Sequence, residues 1–545
     1  MKKYVIGLDF GTLSGRAILV DTANGQEIAE AVYEYPHGVM DACLPSGKEL
    51  PPMFALQHPL DYIEAIRFTV PAVLQKANVS PDAVVGMGID FTASTVLPVD
   101  QEGTPLCLLP DLTDEPHAYV KLWKHHAAEP QANEINALAE SRGEAWLANY
   151  GGSVSCEWML PKILEILRNA PDIYARTARF TEAGDWLSRV LTGKETHSAV
   201  FAGYKALWNS ESGFPSDDFF KALDPRLGGI VGSKICQTVN PIGEIAGVLN
   251  ANGAELTGLN PGTPLALPMI DGHAAMPALG ITGEGELVIV VGTSCNQFIN
   301  SSKKLEIDGI CGFVKDGVYS DLYTYEAGQA CAGDIYEWFV QNCVPASYIE
   351  EAKEREISVH QLLREKAMRL QVGESGLVAL DWHNGNRCVI GNTFLSAMML
   401  GMTLQTKPEE MYRAWIEATV FGSRAIIEQF EKGGIEIKAI YMGGGIVAKD
   451  EMMMQIYADV TGKEIRIAAS RQAGALGSAI YAAVAAGVYQ TIAEAVAHMT
   501  RPYQKAYTPN PENQARYEKL YAEYVTLHDY FGRGGNAVME RLKGR

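Results

Sequence analysis

Short apolar runs separated by tight turns open the chain. Tyr4 to Asp9, Arg16 to Asp21 and Gln26 to Tyr35 each have the hydrophobic density of a buried strand, with small polar residues between them. This pattern predicts a three-stranded β-meander. Another apolar run, Val84 to Asp90, ends on a carboxylate and continues into the polar segment Phe91 to Thr95. Polar residues beyond the carboxyl end of a buried strand are where α/β proteins place ligands.

Helical spacing of apolar residues appears further along the chain. Asp61 to Lys76 shows it, although Pro71 should bend or split that helix. Pro408 to Lys432 predicts a long amphipathic helix that ends at Gly433-Gly434, and a strand over Lys438 to Met442 follows. Strands that alternate with helices indicate an α/β fold.

One strand-turn-strand arrangement occurs twice. The first copy, Tyr4 to Asp21, turns at Gly11-Thr12, and the second copy, Glu286 to Asn300, turns at Gly292-Thr293-Ser294. Such turns offer hydroxyl groups and backbone N–H groups, which two facing domains need in order to hold a polyphosphate from both sides. The repeat predicts two domains, residues 1–275 and 276–545, with a nucleotide in a cleft between them.

Composition and charge narrow the class of protein. The 545 residues have a formal net charge of −20, and lysine and arginine are scattered along the chain. This distribution argues against nucleic acid or an anionic membrane as the partner. The start of the chain is too short in apolar residues for a signal peptide, and the longest apolar stretch, Ala479 to Val488, is too short to span a bilayer. We expect a cytoplasmic protein.

The cysteines and histidines indicate neither disulfides nor a zinc site. The nine cysteines form an odd set with no C-x-x-C pair, which favours reduced thiols. The adjacent His125 and His126 point apart and have no carboxylate at ligand spacing.

Two common nucleotide-binding motifs are missing. There is no P-loop motif, because Gly193-Lys194 and Gly462-Lys463 are each followed by Glu, and no G-x-G-x-x-G opens a helix after a strand.

The remaining motifs are similar to those of one family. Ile6 to Arg16, Val290 to Ser294 and Tyr441 to Gly445 resemble the two phosphate hairpins and the adenosine motif of the actin-like ATPase superfamily. Met269 to Gly280 and Gly443 to Gly462 resemble the two signature regions of the FGGY carbohydrate kinases. The resemblance runs from about residue 4 to about residue 490. It implies two actin-like, ribonuclease H-like domains that hold ATP, Mg²⁺ and a sugar in the cleft between them.

Further segments resemble the members of that family that phosphorylate ketopentoses. These segments are Gly151 to Lys162, Ala202 to Trp208, Gly309 to Gly312 and Tyr325 to Trp338. The resemblance implies ATP-dependent phosphorylation of L-ribulose at its 5-hydroxyl group in L-arabinose breakdown, with some tolerance of D-ribulose and other 2-ketopentoses.

Asp271 is the candidate general base. It follows the apolar run Leu265 to Ile270, so its carboxylate should project from a strand end. A carboxylate there suits removal of the proton from an attacking hydroxyl group. An aspartate at this position also suits the N-cap of a helix starting near His273. Spacing alone leaves the two roles even, and they are compatible; the family resemblance favours the catalytic one.

The nucleotide residues follow from the hairpins. Asp9 ends the first strand and suits Mg²⁺ held through water, or else a bond that stabilises its own turn. The phosphates should contact Gly11, Thr12, Gly292, Thr293 and Ser294, with Arg16 as a further neighbour. The adenosine should lie against Gly443, Gly444 and Gly445. Gly474 to Gly477 opens a small-residue helix that either lies under this site or serves ordinary helix packing.

The residues predicted to bind the sugar are taken from the resemblance. It implies that the backbone near Ala93, the Lys205 ammonium group and the Asp271 and Glu326 carboxylates bind the ketose oxygens. Alternatively, Lys205 is a solvated surface residue and Glu326 is a charged residue at a strand end, as such residues usually are.

Two departures and three alternatives stay open. Trp123 to His126 stands where many sugar kinases of the family have Trp-x-Asp-x-Arg, which weakens a glycerol kinase assignment, and Asp90 to Thr95 differs from the glycine-containing version of some relatives. A xylulokinase or similar kinase, an actin-like nucleotide switch and an inactive sugar sensor are the other functions. The tail after Thr508 either covers the second domain or makes a subunit contact, so a homo-oligomer is left open.

Overall fold

The computed structural model describes residues 2–447, 449–470, 472–501, 503 and 505–543. The chain forms two compact units. Unit 1 contains Met1–Thr282, Phe313–Thr324 and Gln472–Arg501, and unit 2 contains Gly283–Gly312, Tyr325–Arg471 and Pro502–Arg545. The two units are interleaved along the chain, so the boundary between residues 275 and 276 stays a prediction.

The secondary structure is mixed, with strands and helices in both units. The strands are β1 Tyr4–Phe10, β2 Ser14–Asp21, β3 Gln26–Glu34, β4 Leu56–Gln57, β5 Val84–Phe91, β6 Val96–Val99, β7 Val120–Lys121, β8 Arg179–Glu182, β9 Ile245–Val248, β10 Pro264–Ala266, β11 Met269–Ile270, β12 Glu286–Val291, β13 Cys295–Ser301, β14 Gly312–Lys315, β15 Tyr323–Gln329, β16 Val378–Leu380, β17 Met398–Leu400, β18 Ala439–Gly443, β19 Ile465–Ile467 and β20 Lys505–Tyr507.

The helices are α1 Pro59–Ala77, α2 Glu129–Arg142, α3 Met159–Asn169, α4 Pro171–Arg176, α5 Ala183–Thr192, α6 Ala199–Lys205, α7 Asp217–Leu223, α8 Ile230–Ser233, α9 Ala251–Thr257, α10 Asp271–Ala278, α11 Gly333–Cys343, α12 Ala346–Glu354, α13 Val359–Ala367, α14 Pro408–Lys432, α15 Glu451–Thr461, α16 Ala473–Ala485, α17 Ile492–Met499, α18 Pro511–Gly532 and α19 Val538–Leu542. None of the helices in the described residues is long and apolar enough to cross a membrane.

The main sheet of unit 1 places three strand ends side by side. Its order is β3-β2-β1-β5-β10-β9, and β11 also pairs with β5. The first three strands form the predicted antiparallel meander, and β1 then runs parallel to β5. The register aligns Asp9 with Asp90, and Met269 of β11 with Asp90. Parallel neighbours bring their carboxyl ends to one edge of the sheet, so polar residues that end β1, β5 and β11 meet there.

Helix α16 covers β1 and β5 at unusually close range. A Cβ atom on Gly7 would lie 1.8 Å from the carbonyl oxygen of Ala475, and one on Gly88 would lie 2.1 Å from that of Ser478. Any side chain at these two strand positions would collide with helix backbone. The glycines therefore set how closely α16 approaches the sheet.

A smaller, second layer of unit 1 surrounds the sheet β4-β7-β6-β8. Its core is an apolar cluster that includes Ile135, Leu164, Phe180 and Phe219. Helix α1 packs on β2 and β3 and runs as one helix through Pro71. Of the predicted bend or split, the split does not occur. The first part of α1 buries Tyr62, Ala65 and Ile66, and that packing holds the helix across the proline.

Unit 2 repeats the plan of a hairpin followed by a parallel strand. The order of its strands is β15-β13-β12-β18-β19-β20, with β12 antiparallel to β13 and parallel to β18. Helix α14 spans Pro408–Lys432 as predicted, and α18 packs against α14, α15 and β16. Tyr517, Tyr521 and Tyr524 of α18 are buried. The C-terminal tail therefore covers unit 2, which is one of the two roles that its sequence left open.

Candidate active site

Three carboxylates meet at one edge of the main sheet of unit 1. Asp9 is the penultimate residue of β1, Asp90 lies near the end of β5, and Asp271 follows β11 directly. Asp9 and Asp90 are register partners on adjacent parallel strands. Asp271 lies close enough for its charge to act on Asp90.

Asp90 is the most buried of the three. Its side chain is fully enclosed, and its Oδ2 accepts a 2.7 Å hydrogen bond from Ser478 Oγ on α16. Among the described residues, its Oδ1 has no hydrogen-bond donor. Burial raises the pKa of Asp90 well above its ordinary value, and the negative charges of Asp9 and Asp271 raise it further. A positive group beside Asp90 would relieve this crowding.

The N-terminus of α16 lies against the same carboxylates. A Cβ atom on Gly474 would lie 3.2 Å from Asp90 Oδ1 and 3.4 Å from Asp9 Oδ2. The partial positive charge of a helix N-terminus favours nearby anions. Gly477, one turn later, lies against Ala274 of α10, the helix that Asp271 begins. The Gly474 to Gly477 segment thus both packs two helices together and lies directly at the carboxylates.

Asp271 begins α10 and is half-buried. Its Oδ1 accepts a 2.6 Å hydrogen bond from the backbone N–H of Gly272. Ile270 is the N-cap residue of α10 and makes no side-chain capping bond, while Asp271 is the first residue of the helix. The N-cap role that the sequence allowed for Asp271 is therefore wrong, because its carboxylate bonds to the neighbouring N–H, whereas a capping side chain bonds to one further along the first turn. Asp271 does stand at the strand end where a general base is expected.

The first hairpin turn is fixed from outside by two polar side chains. Trp123 Nε1 donates to Thr12 Oγ1 at 3.2 Å, and Gln57 Nε2 donates to the carbonyl oxygen of Thr12 at 2.7 Å. Arg16 Nε lies 3.5 Å from Asp9 Oδ2. These contacts show what Trp123 does in the segment that departs from the other sugar kinases. They also place Arg16 beside the candidate metal ligand.

The second hairpin turn, in unit 2, meets the N-terminus of α11. The backbone N–H of Ala332 donates to the carbonyl oxygen of Thr293 at 2.7 Å, and that of Gly333 donates to the carbonyl oxygen of Gly292 at 3.0 Å. Thr293 is exposed, and Ser294 is half-buried. The turn's carbonyl groups thus have partners in α11, while the Thr293 side chain faces solvent.

The glycine loop lies against the second hairpin. Gly444 has a φ of 110°, and a Cβ atom there would lie 2.2 Å from the carbonyl oxygen of Val291. Only glycine fits that position. Gly444 and Gly445 are exposed, and a Cβ on Gly445 would meet nothing within 4 Å. Unit 2 therefore brings the predicted phosphate turn and the predicted adenosine loop together.

The segment after β5 that contains Ala93 is held by buried charges. Lys162 Nζ donates to the carbonyl oxygen of Ser94 at 2.6 Å, and Glu182 Oε2 accepts from the backbone N–H of Thr95 at 2.8 Å. Burial lowers the pKa of Lys162 to about 8 and raises that of Glu182 to about 7. Ser94 has a φ of 57°, a conformation that non-glycine residues rarely adopt. The buried pair fixes this loop while Ala93 stays half-exposed.

The other two side chains predicted to bind the sugar, Lys205 and Glu326, are buried rather than solvated. Lys205 ends α6 with 7% of its surface exposed, and its Nζ lies 5.8 Å from the centroid of the Trp158 ring. Its charge also acts on Glu182. Glu326 lies on β15 in unit 2 and is 9% exposed. A surface lysine and a solvated strand-end charge, the alternatives that the sequence left open, do not describe these side chains.

The residues that sequence reasoning did not assign are Asp90, Trp123, Lys162 and Glu182. Asp90 carried a signal, since it ends a buried strand as Asp9 does. Lys162 ends one of the segments that resemble the family, but no pattern linked Lys162 or Glu182 to Ala93, because both are remote from it in the chain.

The carboxylate set fits a magnesium ion. Mg²⁺ prefers oxygen ligands and is usually held by one or two carboxylates with several waters. Asp9 and Asp90 supply two adjacent carboxylates, and the buried Asp90 Oδ1 lacks a donor among the described residues.

Comparison with known proteins decides the family. The N-terminal domain model of the FGGY family of carbohydrate kinases matches residues 4–278, and the C-terminal domain model matches residues 287–486. The chain belongs to this family. Its members are kinases of carbohydrates, so ATP is a substrate and the reaction is transfer of a phosphoryl group to an alcohol.

Several relatives are similar over nearly their whole length. A ribulokinase from Halalkalibacterium halodurans is 52% identical, with 99% of this chain and 97% of the relative covered. A ribulokinase from Geobacillus thermodenitrificans is 51% identical with the same coverage. Xylulose kinase from Rhodospirillum rubrum superimposes with a TM-score of 0.79 over 96% of this chain and 98% of its own, at 22% identity. That structure supports the FGGY fold alone.

Proposed function

We propose that this protein is a ribulokinase that transfers the γ-phosphoryl group of ATP to the 5-hydroxyl group of L-ribulose. The products are ADP and L-ribulose 5-phosphate, an early step in L-arabinose breakdown, and D-ribulose and other 2-ketopentoses are further substrates. The observation that carries the proposal is the meeting of Asp9, Asp90 and Asp271 at adjacent parallel strand ends. The ribulokinase names of relatives about half identical to this chain support the choice of sugar.

Asp271 takes the general-base role. It accepts the proton of the 5-hydroxyl group as that oxygen bonds to the γ-phosphorus and the bond to the β-phosphate oxygen breaks. The hydrogen bond from Gly272 N–H fixes the carboxylate, so one oxygen is held in place and the other is directed at the hydroxyl. The base thereby lies on a rigid strand-to-helix junction rather than on a loop.

Asp9 and Asp90 hold the magnesium ion in this proposal. When bound, Mg²⁺ neutralises charge on the phosphates and helps orient them. Arg16, which lies beside Asp9 on the neighbouring strand β2, adds a positive charge next to it. Ser478 orients Asp90 through its hydroxyl group.

The phosphates and the adenosine are assigned to the hairpin turns and the glycine loop. Gly11 and Thr12 contribute from unit 1, and Gly292, Thr293 and Ser294 contribute from unit 2. Gly443, Gly444 and Gly445 receive the adenosine, where the absence of side chains lets a nucleoside approach the backbone. Because ATP is supplied in the cytoplasm, we assign the enzyme to that compartment.

The sugar is assigned to the Ala93 backbone, Lys205, Asp271 and Glu326. The Lys205 ammonium group lies 5.8 Å from the centroid of the Trp158 ring and 5.7 Å from that of the Tyr204 ring, so it is a fixed positive charge with donors for ketose oxygens. Fixed polar groups of this kind reject analogues that lack the matching hydroxyl group.

Substrate choice is tested by measuring ADP release from MgATP with L-ribulose, D-ribulose, both xyluloses and glycerol. We expect the highest kcat/KM with L-ribulose and little release without sugar. Preference for a xylulose or for glycerol would overturn the assigned substrate, and equal hydrolysis with and without sugar would overturn the kinase assignment.

Replacing Asp271 by asparagine or alanine tests the general base. We expect kcat to fall roughly 10²- to 10⁴-fold, the range typical of lost general-base catalysis, while ADP binding by calorimetry stays near the wild-type value. The control is Asp41→Asn, an exposed aspartate of unit 1. Unchanged turnover in Asp271→Ala would contradict the base assignment.

A further inference from the structure

Two cysteines of unit 2 lie in van der Waals contact. Cys311 Sγ and Cys388 Sγ are 3.4 Å apart although 77 residues separate them along the chain. Cys388 is 3% exposed, and Cys311 is half-buried. A disulfide has sulfur atoms about 2.05 Å apart, so the two sulfurs must approach each other by roughly 1.4 Å to be joined.

The two segments that carry these cysteines are held together by their backbones. Gly309 has a φ of 71°, and a Cβ atom there would lie 2.2 Å from the carbonyl oxygen of Val389. The glycine therefore permits direct contact between the segments. Gln429 Nε2 donates to the carbonyl oxygen of Asp308 at 2.9 Å, which anchors the first segment to α14.

The second segment is fixed in the same way. The backbones of Asn386 and Asn392 exchange hydrogen bonds of 2.9 and 2.8 Å, and Ile390 N–H donates to Asn386 Oδ1 at 2.9 Å. Cys388 lies inside this closed turn. The thiols are thus kept in contact by the fold, and joining them orders little additional chain.

The environment of the pair distinguishes the two sulfur atoms. The hydrogen bond with Cys311 lowers the pKa of Cys388, and the backbone N–H of Gly328 at 3.5 Å and the nearby Arg387 charge act in the same direction, whereas burial and the Glu326 charge oppose them. The same shared proton raises the pKa of Cys311 well above its ordinary value. Thiolate is the reactive form of cysteine.

We propose that Cys311 and Cys388 form a reversible disulfide when the protein meets a peroxide. The Cys388 thiolate attacks one oxygen of hydrogen peroxide, the O–O bond breaks, and a sulfenic acid and hydroxide form. The Cys311 sulfur then attacks the sulfenic sulfur and displaces its oxygen, which leaves as water. In total, two thiols and one hydrogen peroxide give one disulfide and two waters.

The disulfide adjoins the strand that carries Glu326. The backbone N–H of Cys311 donates to the carbonyl oxygen of Glu326 at 2.9 Å, and that of Gly328 donates to Cys388 Sγ. Drawing the sulfurs together therefore displaces groups bonded to Glu326 and to Gly328, two residues later on the same strand. Given the proposed function, we expect oxidation to raise the KM for L-ribulose several-fold and to leave the KM for ATP near its reduced value.

The chemistry is tested on the whole protein without any activity assay. After treatment with hydrogen peroxide, intact mass should fall by two hydrogen atoms, and non-reducing peptide mapping should show a cross-link between the Cys311 and Cys388 peptides. Dithiothreitol should reverse both changes. Cys311→Ser and Cys388→Ser should each abolish the cross-link, while Cys43→Ser, which removes an exposed thiol, should leave it intact.

The possible results separate this inference from the function on which its consequence rests. Oxidation at Cys43 with no Cys311–Cys388 cross-link would overturn the proposed disulfide, because accessibility alone would then decide reactivity. A cross-link without any change in the KM for L-ribulose would overturn the effect on Glu326. A cross-link in a protein that does not phosphorylate pentuloses would leave the disulfide established and refute the proposed function.

Discussion

One oxygen of the Asp90 carboxylate has no hydrogen-bond donor among the described residues. Ser478 donates to one of its oxygens, and the other faces Asp9 without a donor. Asp90 is buried and Asp9 is half-buried, and the two adjacent carboxylates repel each other, which destabilises the fold unless a proton or a cation lies with them. Asparagine has the same shape and keeps an acceptor for Ser478, so it isolates the effect of the charge.

We therefore expect Asp90→Asn to be more stable than wild type in EDTA, by about 1–3 kcal/mol. The same variant should need at least about tenfold more Mg²⁺ for half-maximal turnover, because it loses one proposed ligand. Thermal unfolding in EDTA and a magnesium titration of ADP release measure the two effects.

The Asp41→Asn protein serves as the control and should match wild type in both measurements. A wild-type magnesium requirement in Asp90→Asn would remove Asp90 from the metal site. A loss of stability in EDTA would show that the charge is accommodated without a cation.

At the scale of single residues, the sequence predicted where a side chain lies on its strand better than which side chains from elsewhere in the chain contact it. Asp9 and Asp271 follow apolar runs, so their placement at strand ends could be inferred. Asp90 had the same signal, but its contact with Asp9 depends on the order of the strands. Trp123 reaches Thr12 from 111 residues away, and no local pattern predicts such a contact.

Helix α16 contacts the sheet, the carboxylates and α10, and two glycines on its first turns make the last two of these contacts. Gly477 lies against the backbone of α10, where a Cβ would be 1.7 Å from the carbonyl oxygen of Ala274. Gly474 instead faces Asp90 and Asp9, with its nearest atom at 3.2 Å from such a Cβ. The same substitution at the two sites should therefore have different consequences.

Gly477→Ala should destabilise unit 1 by roughly 2 kcal/mol or more, because overpacking against a backbone atom forces the helices apart. Turnover should fall with it, since α10 begins at Asp271. Gly474→Ala should leave stability within about 1 kcal/mol of wild type, because alanine favours the helix and the contact is only tight. It should weaken Mg²⁺ binding by crowding the carboxylates.

Thermal unfolding and the magnesium titration compare the two glycine variants directly. Equal stability of the two proteins would contradict the packing argument. A wild-type magnesium requirement in Gly474→Ala would show that the carboxylates have more room than the structure gives them.

At the scale of elements, regular patterns were predicted well and exceptions were not. The meander and the helix Pro408–Lys432 match because their apolar periodicity is strong. Pro71 was expected to bend or split α1, and the split is wrong, since packing on β2 and β3 maintains the helix across the lost hydrogen bond. The low helix propensity of a single residue is readily overridden by tertiary packing.

At the scale of the whole molecule, the C-terminal tail belongs to unit 2 through a buried polar network. Tyr524 of α18 donates to Asp381 Oδ1 at 3.3 Å, and Gln329 Nε2 donates to Asp381 Oδ2 at 2.7 Å. Ser423 Oγ in turn donates to Gln329 Oε1 at 2.8 Å. The chain order gave no hint of this contact, because Asp381 and Tyr524 are 143 residues apart.

This network makes the stability of the protein depend on pH. Burial raises the pKa of Asp381 from 3.8 to about 6. Below about pH 4 both folded and unfolded chains carry the proton, whereas between pH 4 and pH 6 only the folded chain keeps it. Stability from this group is therefore lost as pH rises through that window, and the loss is complete above pH 6.

Asp381→Asn carries no titrating proton and should escape that loss. The difference in unfolding free energy between the variant and wild type should shift in favour of the variant by up to about 3 kcal/mol from pH 4 to pH 7. Thermal unfolding at several pH values measures it, with Asp308→Asn, an exposed aspartate of unit 2, as the control. Asp308→Asn should follow the wild-type curve. A constant difference between Asp381→Asn and wild type at all pH values would mean that Asp381 has the same pKa in the folded and the unfolded chain, so that its hydrogen-bond donors offset its burial.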